Sequence, residues 1–450
     1  MLPSISTRPV LVAGFAFALA FGSAVSAAAQ RSPLSAKQSD PRIMGWMQDA
    51  PPPRDKRVTV AAGDFFEFPK SRWTVCHVRN LFPTVAVGRG VGAPVPLDYV
   101  PHHEFADLRA QIDALSFTPM GSDEQMTWSE SLSANYTDGM LILHKGQVVY
   151  EWYSGCLTET GKHAIMSMTK STVGILAEIL VAEGRLDDRA SVTDYVPELA
   201  DTGFGTATVR QVMDMTTSIV FDENYDDPDA DIWAYSAAGS PLPKPASYEG
   251  PVGYIEYLQK VKQDGKHGRA FAYKTINTDV LAWIIARVTG MAYQDALSEM
   301  LWKRMGAEQD AYLTVDAAAT PFAGGGMSAG LRDLGRLGLL LLNQGMINGE
   351  RVFPAAVVES IRQGGDRRAF ARGGFNTMAG GSYRAMFWVF HNPNGAFAAR
   401  GVHGQTIYVD PTADMVLVRL ASHPKPKNSL IDPTSLPAYQ AVADYLIARD

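Results

Sequence analysis

Hydrophobic and polar positions change rhythm three times along this chain of 450 residues. Around position 140 two β-rich runs, GMLILH and QVVYEWY, flank His144-Lys145-Gly146, and a turn containing glycine between such runs predicts a β-hairpin. From about 170 to 350 the apolar positions fall at helical spacing in STVGILAEILVAEG, TVRQVMDMTT, YIEYLQKVKQ, TDVLAWIIARVTG, YQDALSEMLWKRMG and LRDLGRLGLLLLNQG. Several of these runs close on Gly184, Gly290, Gly306 and Gly345, as helix C-termini commonly do. After 380 strands return in YRAMFWVF, ARGVHGQTIYVDP and DMVLVRLAS, and PAYQAVADYLIARD closes the chain as a helix. Strands at both ends with helices between them predict an α+β fold. One antiparallel sheet, drawn from both ends of the chain, is flanked by helices and carries an inserted, mostly helical subdomain over about 180–350.

The N-terminal third lacks this regularity. Arg8, the apolar stretch VLVAGFAFALAFGSAV and the small residues SAAAQ make residues 1–29 an expected export signal rather than a membrane anchor, because Gly14 and Gly22 interrupt the apolar run. The mature chain is therefore expected in the periplasm or outside the cell. Residues 30–60 are rich in Pro, Ser, Gln and charge, a composition that rarely packs. They are expected to form a linker or extended arm, and the aromatic fragments from 64 to 110 to lie on the main domain as an N-terminal extension. The main domain is placed at 111–450. No later segment is long and apolar enough to span a bilayer.

Composition narrows the partners. Net charge is −7, with acids and bases interspersed and no basic cluster of the kind that follows a phosphate backbone, so nucleic acid is not an expected partner. The nine histidines show no H-E-x-x-H or paired-ligand spacing, and His102-His103 lies in the extension. No metal or cofactor is expected, and the sequence leaves the oligomeric state open. Cys76 and Cys156 are the only cysteines. In an exported chain they suit one disulfide, and two separate thiols fit the spacing equally.

The candidate chemistry lies in HAIMSMTKSTVGILAEIL. Ser167 and Lys170 stand three apart, so on a helix they share one face. A hydroxyl needs a base beside it to act as a nucleophile, and an amine can serve when burial lowers its pKa. The apolar run that follows would supply that burial, or would simply mark a buried helix with a polar lip. A second S-x-x-K, Ser422 to Lys425, sits after a strand and beside prolines, which argue against a helix there. Tyr273, ahead of the helix in FAYKTINTDVLAW, is a candidate general acid or an ordinary half-buried tyrosine. Gly326-Met327-Ser328-Ala329-Gly330 satisfies the G-x-S-x-G elbow, but PFAGGG before it does not read as the required strand, and a tight turn before a helix is expected.

Taken in order, SMTK, FAYKTINTDVLAW, GGGMSAGLRDLGRLG and GVHGQTIYVDP resemble the motif series of the serine β-lactamase and penicillin-binding protein superfamily. Within it the chain looks like the 6-aminohexanoate-dimer hydrolase branch, which is related to β-lactamase-like carboxylesterases. The resemblance covers about 139–425 and implies a β-lactamase/transpeptidase-like fold. It implies an acylated Ser167, Lys170 as base and Tyr273 as proton shuttle. It also implies a substrate contact at Tyr225 in FDENYDDP, and an oxyanion hole from the N–H groups of Ser167 and Val402, beside Gly401. His403 is a candidate substrate contact or a polar residue at a strand end. Two departures qualify the likeness. The second motif has Thr275 where Asn is usual, with Asn277 two further on, and the third aligns as Ala399-Arg400-Gly401, without the lysine that would hold a β-lactam carboxylate. The expected substrate is a small linear amide or ester. A β-lactamase or D-amino-acid peptidase, or a non-catalytic binding domain of the same fold, are the alternatives.

Overall fold

The computed structural model describes residues 33–449, so the export signal expected at 1–29 lies outside the described residues. An eight-stranded sheet is the frame. Its order is Ser382–Arg384, Phe387–Val389, Phe397–Gly401, Gln405–Asp410, Met415–Ala421, Thr137–His144, Gln147–Tyr153 and Asp98–Tyr99. All neighbours are antiparallel except the last pair. The hairpin expected near 140 turns on Lys145 and Gly146, both at positive φ (49° and 78°), as the right-handed twist of a two-residue hairpin demands.

Alternation along the strands sorts the sheet into two buried faces. Leu141, Leu143, Val416 and Val418 share one core with the helices Met168–Ala182 and Leu331–Leu342. Met140, Ile142, Met415 and Leu417 pack on the other side with Asp432–Arg449 and His102–Asp113. The expected α+β architecture, an antiparallel sheet flanked by helices, is therefore present.

Two stretches differ from their hydrophobic pattern. YRAMFWVF is a tight hairpin rather than one strand, turning at Ala385 and Met386 with φ of 47° and 65°. The turn is pressed against the central helix: a Cβ on Gly174 would lie 2.0 Å from the Ala385 carbonyl oxygen, and Ser171 Oγ donates to Met386 O at 2.8 Å. ARGVHGQTIYVDP is likewise two strands, parted at Val402–Gly404 where His403 adopts φ 62°. Hydrophobicity alone cannot reveal such breaks, because the turn residues are themselves buried.

The Pro- and Ser-rich stretch expected as a linker or extended arm, of a composition that rarely packs, is an arm that does pack. Trp46 and Val58 are buried in a small core with Phe65, Phe66, Trp73 and Val78, and that core includes Ala164 and Met166 of the main domain. Ion pairing and a covalent bond fix it. Arg72 donates to Asp138 Oδ1 at 2.8 Å and to Ser422 Oγ at 3.0 Å, and Arg72 and Asp138 are both fully buried. Cys76 and Cys156 form a disulfide with their Cα atoms 5.9 Å apart. Thr84–Val87 then joins Ala311–Thr314, Met327–Ala329 and His163–Ala164 in a second, four-stranded sheet. Composition missed this arm because a few large apolar residues, spread among prolines and charges, supply its whole core.

Candidate active site

The chain reaches Ser167 through that second sheet. Ile165 N donates to Met327 O at 2.9 Å, Met166 turns into the left-handed region at φ 49°, and Ser167 caps the helix Met168–Ala182. A methionine in that region costs about 1 kcal/mol, and the surroundings hold it there. Thr169 Oγ1 donates to Met166 O at 2.6 Å and accepts from Met327 N at 3.2 Å. The turn thus presents the Ser167 hydroxyl at the N-terminal end of the helix, where the helix dipole favours a developing negative charge.

Lys170 and Tyr273 converge on that hydroxyl. Lys170 Nζ donates to Ser167 Oγ at 3.0 Å and also to the Gly324 carbonyl oxygen. Its side chain comes from a helix buried throughout from Met168 to Leu180, and 1% of the lysine is exposed. Burial pulls its pKa well below the ordinary lysine range, while the carboxylates of Glu223 and Asp279 pull it part of the way back. Tyr273 lines the same cavity as Ser167 and lies with its ring centroid 5.2 Å from Lys170 Nζ. Trp388 stacks on that ring at 5.6 Å and Tyr383 meets it edge-on at 6.1 Å. Burial first, then the charge of Glu223, raise the phenol's pKa, so it stays protonated at neutral pH.

Two acids complete the centre. Glu223 accepts from Thr275 N at 2.6 Å, from Thr275 Oγ1 at 2.7 Å and from Tyr225 Oη at 2.7 Å, which pins the acidic loop to the residue two beyond Tyr273. Asp279 accepts from Gly324 N at 3.2 Å, and burial raises its pKa against the pull of Lys170. No sequence pattern pairs either residue with its partner. Glu223 stands two positions from the quoted Tyr225, yet nothing in its spacing points to Thr275.

Ser167 sits where two cavities meet. A slot is lined by Phe65, Phe66, Ile232, Trp233 and Phe322. A wider groove is lined by Tyr273, Trp388, Glu223, Lys274, Arg372 and Lys427. Tyr225 and Val402 line both. Gly401 ends its strand against Ser167: a Cβ there would lie 2.8 Å from Ile165 O and 3.0 Å from Ser167 N, so a side chain would push the strand away from the helix start. His403, 5% exposed, lines the slot and donates from Nδ1 to His423 O at 2.6 Å. Burial holds its pKa down at about 4, so the ring is neutral at physiological pH.

With a serine and lysine on one helix turn, a tyrosine from the loop ahead of a second helix and a strand end beside the serine, the chain matches a family model described as Beta-lactamase over residues 135–438. The chain belongs to the beta-lactamase family. It is a serine hydrolase with that fold. It is 37% identical over 362 residues to the 6-aminohexanoate-dimer hydrolase of Paenarthrobacter ureafaciens, which covers 80% of this chain and 87% of the relative. A solved Bacillus anthracis protein, assigned as a 6-aminohexanoate-dimer hydrolase, superposes with a TM-score of 0.75 at 30% identity over 88% of this chain and 99% of its own. A penicillin-binding protein homologue from Caulobacter crescentus, 17% identical with a TM-score of 0.53 over 76% of this chain and 98% of its own, shares the fold.

The remaining motif residues fall into place against that frame. Asn277 is fully buried, accepting from Thr217 Oγ1 at 2.7 Å and donating to Lys274 O at 3.0 Å. Ala399 is buried, and Arg400 next to it is ion-paired with Asp432, its guanidinium 5.7 Å from the Trp388 ring. That cation is therefore already neutralised. Ser328 lies in the strand Met327–Ala329, opposite Ala164 and Tyr312, rather than in the expected tight turn. It is 1% exposed, too deep for a carbonyl carbon to approach. Ser422 serves as the acceptor for Arg72.

Proposed function

We propose that this chain is an exported hydrolase that cleaves small linear amides or esters, of the 6-aminohexanoate-dimer kind, through an acyl-enzyme on Ser167. The observation that carries the reading is the convergence of Lys170 Nζ and Tyr273 on Ser167 Oγ at the junction of two cavities. Lys170, neutral when its depressed pKa is exceeded, takes the hydroxyl proton as Oγ bonds to the carbonyl carbon. The oxyanion is held by the N–H groups of Ser167 and Val402. Tyr273 then gives its proton to the leaving nitrogen as the C–N bond breaks, and regains one from Lys170. Water repeats the sequence on the ester and frees Ser167. Such general acid and base roles are each worth about 10²–10⁴-fold in rate.

The absence of a lysine at Ala399 and the pairing of Arg400 with Asp432 favour linear substrates over β-lactams. Export is supported by Arg8, the apolar run after it and the Cys76–Cys156 disulfide, a bond that persists in oxidising compartments. No helix among the described residues is long and apolar enough to cross a membrane. The test is fluorophosphonate labelling of the purified mature protein together with turnover of p-nitrophenyl esters, linear amides and nitrocefin. Labelling at Ser167 with ester and amide hydrolysis is expected; nitrocefin turnover as fast as ester turnover would replace the proposed substrate class. The N-terminal residue of the secreted protein, expected near position 30, tests the export signal.

A further inference from the structure

The two cavities at Ser167 differ in kind, and that difference orients the substrate. Tyr273 lines the groove, so a leaving nitrogen that takes its proton must depart on the groove side. The groove also carries the charges of Glu223, Lys274, Arg372 and Lys427. What remains bonded to Ser167 then lies in the slot, between Phe65 and Phe66 of the N-terminal arm on one side and Ile232, Trp233 and Phe322 on the other.

The slot is lined mainly by apolar side chains; besides Ser167 its polar residues are Ser236, Tyr225 and Thr275, the last two giving their hydroxyl protons to Glu223, and His403. His403 gives its Nδ1 proton to the His423 carbonyl oxygen, which can only accept, so in the neutral ring Nε2 is a bare acceptor. Nε2 is buried and has no hydrogen-bond partner among the described residues. A buried acceptor left unmet is costly, and it selects for a ligand that brings a donor. The Phe66 ring lies 6.4 Å from the imidazole, so the arm and this acceptor border the same space. The arm is also tied to the strand that leads into Ser167, through Ala164 N donating to Val75 O at 2.7 Å, and to the turn after Gln147–Tyr153 through the Cys76–Cys156 disulfide.

We propose that the slot receives the acyl half of the substrate, an apolar chain carrying a hydrogen-bond donor for His403 Nε2, and that Phe66 of the N-terminal arm limits its length. This rests on the acyl-enzyme reading above. The structure assigns the arm to acyl selectivity and the groove to leaving-group selectivity, with no new covalent step.

The experiment uses p-nitrophenyl esters of straight alkanoic acids from four to ten carbons and of their ω-hydroxy analogues, and a matched set of anilides that varies the leaving group. They are assayed on the wild type, Phe66→Ala, Phe66→Leu and His403→Asn. Wild-type kcat/KM should favour one or more ω-hydroxy esters over their alkanoyl parents by about tenfold, the scale of one net hydrogen bond, and His403→Asn should lower that ratio. Phe66→Ala should raise the long-to-short acyl ratio about tenfold or more, the scale of one methylene in an apolar pocket, with Phe66→Leu between. Fluorophosphonate labelling of each variant reports an intact centre. Labelled variants whose acyl ratios do not move, or whose leaving-group ratios move instead, overturn the inference alone. A wild type that is neither labelled nor turns over any ester overturns the acyl-enzyme reading and this inference with it.

Discussion

The slot and the groove meet at one oxygen atom, yet different parts of the chain build them. The slot takes its apolar side chains from the N-terminal arm, at Phe65 and Phe66, and from the helical region, at Ile232, Trp233 and Phe322. The groove is lined by Tyr273, from the loop ahead of the helix Ile276–Thr289, by Trp388 and Arg400 of the large sheet, and by charged loop residues around them. The contrast separates two jobs. In the proposed reaction the groups that move protons are held by the central helix and its neighbours, whereas one side of the substrate is read by a segment attached from outside through a disulfide and a buried ion pair.

Breaking the shared point has the largest effect. Ser167→Ala should lower kcat/KM for every ester and amide by about 10⁴-fold or more, as loss of a nucleophile does, with Lys170→Ala nearly as severe; stopped assays on the purified variants measure both. If Ser328→Ala were the lethal change instead, the assignment of the centre would fall.

The next effect strikes the slot side alone. Arg72→Ala leaves Asp138, fully buried, without its guanidinium, and breaking such a pair costs about 3–5 kcal/mol. Urea unfolding should show that loss. An unchanged midpoint would mean that the arm is held by the disulfide and its small core without the ion pair.

On the groove side, Tyr273→Phe should slow amides by about 10²-fold while p-nitrophenyl esters, whose leaving group needs no proton, change much less. Equal losses for both would remove Tyr273 from the leaving-group step.

The finest distinction concerns charge. The base must be neutral, so kcat/KM falls as pH drops through the pKa of Lys170 in the free enzyme, which burial places below the ordinary lysine range. Glu223 favours the ammonium form, so Glu223→Gln should move the acid limb of the pH profile downward by about one unit. A limb that stays in place or moves upward would show that another group governs it.

These contrasts also separate what the sequence made legible from what it hid. The hairpin at Lys145-Gly146, the buried helix after Ser167 and the final helix were readable because periodicity and turn chemistry are local. Ser167, Lys170 and Tyr273 were singled out because the motif order resembled a family, and the structure brings the three together. Glu223 and Asp279 were not, since a carboxylate's partner is chosen in space: Glu223 meets Thr275 only because two loops fold together. Ser328 looked like the head of a turn because three glycines precede it, yet its strand is completed by His163–Ala164 and Ala311–Thr314, pieces too short for any pattern to register. The arm misled for the opposite reason. Its composition is that of a linker, and its order comes from Arg72, Cys76 and a few aromatic residues whose partners lie far along the chain.

The central claim is a covalent ester on Ser167. Rapid quenching of the wild type with a p-nitrophenyl ester, followed by peptide mass spectrometry, tests it directly. The account predicts a mass increase equal to the acyl group on the peptide that contains Ser167, formed within the burst of p-nitrophenol and absent in Ser167→Ala. An acyl group on the peptide that contains Ser328, or steady turnover with no acylated peptide and no burst, would contradict it.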